Sequence, residues 1–144
     1  MLVAYDGSSP GRRALAHAAD LARPGDIVSV VNVMPEPGVS AQIEPPREER
    51  DRQRHLLDDA QSFLAGRGVE ARTVAPVGDA ASEILVTANR LVADVIIVGR
   101  RHGRVAHLLG SISSRLVHSA NCDVLVVHEA REACRPESAT RDAG

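Results

Sequence analysis

Residues 94–127 read DVIIVGRRHGRVAHLLGSISSRLVHSANCDVLVV. Two aliphatic runs, 94–98 and 124–127, bracket a glycine-containing loop and a short stretch in which Ile112, Leu116, Val117 and Ala120 recur at helical spacing. Neither run alternates apolar with polar residues, as strands covered on both faces of a parallel sheet should not. The order strand, loop, helix, strand is a parallel crossover unit.

The same grammar extends towards the N-terminus. Further β-branched or aliphatic runs lie at 2–5, 27–33 and 71–74. Between them come three more apolar stripes: Ala14, Leu15, Ala18, Leu21 and Ala22; then Leu56, Leu57, Ala60, Phe63 and Leu64, ended by Gly66 and Gly68; then Ile84, Leu85, Ala88 and Leu91. Ser9 is expected to cap the first helix, with Pro10 at its first position. Residues 35–50, PEPGVSAQIEPPREER, read as a mobile loop that runs into the second helix. Strand and helix alternate throughout, which predicts a single α/β domain, doubly wound around a parallel sheet with helices on both faces. The domain is expected over 1–129, and 130–144 is expected to be a polar, disordered C-terminal tail.

Composition narrows the function. The 144 residues include 44% hydrophobic and 25% charged residues, and the formal net charge is −2. That balance gives no electrostatic case for nucleic acid or for an anionic membrane. Tyr5 and Phe63 are the only aromatic residues, so base-stacking platforms are excluded. Lysine is absent and all 17 basic residues are Arg, which rules out a P-loop lysine or a Schiff base. Cys122 and Cys134 are too few for a disulfide framework, and Cys122, just before a strand, reads as a buried, inert thiol. No basic segment followed by an apolar run opens the chain, and no apolar run approaches about 18 residues. The expectation is a cytoplasmic protein.

Open α/β sheets bind ligands at the carboxyl ends of their strands. Three such ends carry chemistry: Asp6-Gly7-Ser8-Ser9, Asn32-Val33-Met34, and Gly99 followed by Arg100, Arg101, His102, Gly103 and Arg104, with Gly110-Ser111-Ile112-Ser113-Ser114 opening the next helix. Glycines admit close backbone approach, a helix N-terminus offers unpaired N–H groups, and the serines and arginines add donors and charge. By pattern alone this loop is either a phosphate cradle or a glycine-bounded loop with a serine cap and solvated arginines. Asp6 likewise either holds a turn or accepts from a ligand's amine or hydroxyl. His17, His55 and His118 fall on helical patterns and read as surface or half-buried residues. His102 and His107 lack partners at metal-ligand spacing. GxGxxG and the P-loop pattern are absent.

Taken together, these segments resemble the universal stress protein family from about Leu2 to His128. LVAYDGSSPGRRALAHAADLA is similar to its first strand, Asp-Gly-Ser turn and first helix, and LLGSISSRLVHSANCDVLVVHE to its last helix and strand. The resemblance implies a five-stranded sheet of order 3-2-1-4-5. It also implies a homodimer formed through the last strand, about Val124 to His128. One branch of the family binds ATP through the pattern G-x2-G-x9-G-[ST]. Gly99 fits its first glycine and Gly110-Ser111 its end; His102 stands at the second glycine, Gly103 comes one residue late, and the loop is two residues shorter than the pattern.

By position the resemblance places Ala4, Tyr5, Asp6 and Val33 around adenine. Val98, Gly99, Arg101 and Gly103 fall on the ribose-phosphate side, and Gly110, Ser111, Ile112 and Ser113 on the phosphates. Tyr5 is bulkier than the residue more usual before that Asp. The implied ligand is ATP or another adenine nucleotide, with Mg²⁺ accompanying a triphosphate; the shortened loop points to fewer phosphates, as in AMP or a cyclic nucleotide. The implied role is a regulatory stress-response module. The alternatives are an interaction module of the same fold without nucleotide, or a slow ATP hydrolase using Asp6 or His102 as base.

Overall fold

The computed structural model describes residues 1–38, 45–100 and 109–128. In chain order the elements are β1 (Leu2–Ala4), α1 (Ser9–Leu21), β2 (Val28–Val31), α2 (Arg47–Ala65), β3 (Ala71–Val74), α3 (Ala80–Arg90), β4 (Val95–Gly99), α4 (Ser111–Ser119) and β5 (Asp123–Val127). The strands form one parallel sheet in the order β3-β2-β1-β4-β5. This is the order that the resemblance implies. The tail and most of the 35–46 loop's centre lie outside the described residues.

Strand parity divides the core in two. Val3, Val28, Val30 and Ile97 point to one face, where Ala14, Leu15 and Ala18 of α1 and Leu57, Ala60 and Leu64 of α2 cover them. Leu2, Val31, Ile96 and Val98 point to the other, under Ile84 and Ala88 of α3 and Leu116 of α4. The chain changes face between β1 and β4, so the topological switch point lies between those strands. Full burial of a Leu or Ile side chain contributes about 1.5–3 kcal/mol, so both layers are needed to offset chain entropy.

The stripe edges are wetter than their periodicity implies. Leu21, Leu91, Ile112 and Val117 are exposed. Phe63 is exposed too, but the Arg67 guanidinium carbon lies 4.7 Å from its ring centroid. His17, His55 and His118 are exposed, as expected. Cys122 is half-buried rather than buried, and desolvation pushes its thiol up from the ordinary value. The first helix is capped by Ser8, not Ser9: the Ser8 Oγ accepts from the Gly11 N–H at 3.2 Å, and Ser9 and Pro10 form the first turn. Ser8 wins because Asp6 fixes it from behind, its carboxylate accepting from the Ser8 N–H at 3.0 Å and from the Ser8 hydroxyl.

Two side-chain amides complete the ladder beyond the strand ends. Asn32 N–H donates to the Val74 carbonyl and Met34 N–H to the Pro76 carbonyl, so β2 stays tied to the β3 side past its last strand residue. Between those bonds a parallel ladder needs a donor from residue 76 to the Asn32 carbonyl, and Pro76 has no N–H. Gln53, buried on α2, supplies it: its Nε2 donates to the Asn32 carbonyl at 2.7 Å and reaches the Pro76 carbonyl at 3.3 Å. On the β1 side, Asn32 Nδ2 donates to the Tyr5 carbonyl at 2.7 Å.

Candidate functional site

A cavity of about 210 Å³ opens at the carboxyl ends of β1, β2 and β4, beside the switch point. Its floor is a row of three side chains in register across the sheet. Ala4 pairs with Val31 on β2 and with Val98 on β4. The central residue is the small one, so the row is hollow in the middle. One wall is the start of α3, through Ala80 and Ile84; the other is the start of α4, from Gly110 to Ser113. Ser8 and Gly11, at the N-terminal end of α1, close the third side.

Ala4, Tyr5, Asp6, Val33, Val98, Gly99, Gly110, Ser111, Ile112 and Ser113 all line this cavity, although they come from four separate stretches of sequence. Arg101 and Gly103 lie outside the described residues, as do His102, Arg104 and His107. Arg100 is placed elsewhere: its Nη1 lies 3.1 Å from His128 Nδ1, and its N–H donates to the Val127 carbonyl at the end of β5. The Tyr5 ring packs into the core under α1 and α2, on the sheet face opposite the hollow floor. Its bulk therefore does not fill the cavity.

Ser8 and Asn32, which stand in two of the strand ends singled out from sequence, also line the cavity, as do Gly11, Val31, Ala80 and Ile84, which were not singled out. Val31 was legible in principle, because it lies two residues before Val33 and so shares its face. Gly11, Ala80 and Ile84 depend on how the helices seat on the sheet, which periodicity does not reveal.

Asp6 holds the turn between β1 and α1, as one of its two sequence readings has it, and it also lines the cavity. Across the cavity, Asp79 caps α3. Its Oδ2 accepts from the Ser82 hydroxyl at 2.7 Å, the Ser82 N–H at 3.0 Å and Arg115 Nη1 at 2.7 Å, and these donors hold its pKa down to about 2. Arg115 Nη2 also donates to Ser82 Oγ at 3.0 Å, so α3 and α4 are bracketed next to the cavity. Both partners are more than half exposed, so the pair contributes geometry more than energy. Among the described residues no group of three His, Cys, Asp or Glu side chains is placed to hold a metal ion.

An apolar hollow lies beside the N-terminus of α4, where unpaired N–H groups and Ser111 and Ser113 hydroxyls meet the dipole's positive end.

Comparison with known proteins agrees with this architecture. Residues 1–128 match the Universal stress protein family. The chain belongs to that family. Universal stress protein YxiE of Bacillus subtilis is 32% identical over 143 residues, an alignment covering 88% of this chain and 97% of that protein. The universal stress protein of Archaeoglobus fulgidus, solved in complex with dAMP, is 26% identical with a TM-score of 0.72, covering 87% of this chain and 94% of that one. A universal stress protein family member from Arabidopsis thaliana, solved with AMP bound, has a TM-score of 0.64 at 20% identity, over 94% of this chain and 95% of that one. At that identity the likeness is one of fold. Some structural relatives in the family thus bind adenine nucleotides. No helix among the described residues is long and apolar enough to cross a membrane.

Proposed function

We infer that this universal stress protein domain binds an adenine nucleotide in the cavity beside the switch point and serves as a regulatory stress-response module in the cytoplasm. One observation carries the reading: a hollow apolar floor, Val31–Ala4–Val98, and a helix N-terminus, Gly110-Ser111, face the same cavity. The floor suits a flat base and the helix end suits phosphate, which is the polarity of a nucleotide. The dAMP and AMP complexes of the relatives support it.

The ligand favoured is a mononucleotide with one phosphate, such as AMP or a cyclic nucleotide, ahead of ATP. The loop from Gly99 to Gly110 is two residues shorter than the family's ATP pattern. Arg101 and Gly103 are assigned to the phosphate side by position in that loop. The carboxylates near the cavity do not form a cradle for Mg²⁺: Asp6 is engaged by Ser8, and Asp79 by Ser82 and Arg115. Any Mg²⁺ would arrive on the phosphates of a triphosphate.

The quaternary state proposed is a homodimer through β5 and His128, from Val124 to His128. β5 is an edge strand paired only with β4 among the described residues, and its apolar VLVV run is half-buried rather than blunted by charge. Pairing with a second copy would remove that edge.

The test is to purify the protein natively, denature it, and identify any released nucleotide by mass spectrometry, then titrate AMP, cyclic AMP and ATP side by side. AMP or cyclic AMP binding tightest, and lost in Ala4→Leu, is the expected result. ATP binding tightest would overturn the phosphate count; no binding of any of the three would leave the interaction-module reading.

A further inference from the structure

The end of the β1–β2 ladder is unusual. Tyr5 N–H donates to the Val31 carbonyl at 2.9 Å, the last regular bond between the two strands. The next bond in a parallel ladder would run from the Val33 N–H to the Tyr5 carbonyl. That carbonyl accepts from Asn32 Nδ2 instead. Among the described residues, neither the Val33 N–H nor its carbonyl has a hydrogen-bond partner. Val33 lines the cavity and its side chain packs with the floor's face.

The two side-chain amides at this end therefore do different things. Gln53 fills a gap, because Pro76 has no donor to give. Asn32 displaces a donor that the chain possesses. The displacement leaves β2 bound to the β3 side and released from β1 at one residue, Val33.

We propose that Asn32 is a positioning residue for base recognition: by taking the Tyr5 carbonyl it keeps the Val33 N–H and carbonyl open to the 6-amino edge of adenine. This rests on the nucleotide reading of the cavity. One N–H and one C=O on the same residue complement adenine's N1 acceptor and N6 amino donor. In the same pose hypoxanthine presents N1–H to the N–H and O6 to the carbonyl, so both contacts become repulsive. The site then discriminates by a pair of backbone groups that one side chain holds apart from the sheet.

The experiment uses the full chain and Asn32→Leu, which is close in volume and has no donor; Asn32→Ala substitutes if the Leu variant fails to fold. Amide hydrogen exchange at Val33 is followed by NMR, and AMP and IMP affinities by calorimetry. In free wild-type protein the Val33 amide should exchange quickly, and AMP should protect it. In the free variant it should be protected, having closed onto the Tyr5 carbonyl. AMP affinity should then fall roughly tenfold and the AMP-to-IMP preference should collapse. A Val33 amide already protected in free wild-type protein, or unchanged exchange and unchanged AMP-to-IMP preference in the variant, overturns the assignment. Wild-type protein with a freely exchanging Val33 that binds neither AMP nor IMP overturns the nucleotide reading itself, and the adenine role of Asn32 falls with it.

Discussion

Gly99, the last residue of β4, lies against the Pro10 carbonyl of α1 so closely that a Cβ at Gly99 would stand 2.1 Å from that oxygen. The contact joins the end of β4 to the start of α1, beside the switch point. It sets how near the start of α1 comes to the cavity, and a backbone atom, unlike a flexible side chain, has little room to give.

Gly99→Ala should therefore destabilise the fold by about 3 kcal/mol or more. Thermal denaturation should show a fall in Tm of roughly 10 °C. A variant as stable as wild type would mean that α1 can slide away from β4 at little cost.

Gln53→Leu tests the repair of the proline gap. Leu fills a similar volume but leaves the Asn32 carbonyl without its donor in a buried setting. The loss should be about 1–3 kcal/mol by chemical denaturation. Gln53 itself does not line the cavity and the Asn32 Nδ2 bond to the Tyr5 carbonyl remains, so AMP affinity in the folded variant should fall by less than in Asn32→Leu.

How much of this was legible in sequence depends on the range of the interaction. Strand 71–74 matches β3 residue for residue, because a short β-branched run bounded by turn residues needs only local information. The cap of α1 was misplaced by one residue because Ser8 and Ser9 are equivalent until Asp6 is seen to hold the first of them. The sequence shows that Pro76 lacks a donor, but not that Gln53, 23 residues earlier, reaches over the sheet to replace it. Of the hollow floor, Ala4 and Val98 are assigned to the site from sequence, and Val31 follows from the face it shares with Val33, two residues on.

Asp79 gives a pH signature. Its folded-state pKa is held down to about 2 from an ordinary 3.8, first by the Ser82 hydroxyl, then by the Ser82 N–H and Arg115. A depressed carboxylate contributes stability that is fully present above its unfolded value and lost as pH falls through the folded one. Asn at 79 keeps the helix cap but not the charge that meets Arg115. The Tm difference between wild type and Asp79→Asn should thus be constant above about pH 5 and shrink as pH falls towards about 2. A difference independent of pH would show that the cap geometry, not the carboxylate charge, matters there.

Gly110 separates the phosphate end of the site from the base end. It is the N-cap of α4, at φ −60 and ψ 160, a conformation open to any residue, and a Cβ there meets nothing within 4 Å. Gly110→Val should cost about 1 kcal/mol or less, the difference between a good and a poor N-cap. Yet its side chain would project at the rim where phosphate is expected. AMP affinity should fall at least about tenfold, as expected when a charge-assisted contact to a helix N-terminus is lost, while adenosine affinity should change by less than about threefold. Equal losses for AMP and adenosine would place the phosphate elsewhere, because the only difference between the two ligands is the group that Gly110 is argued to meet.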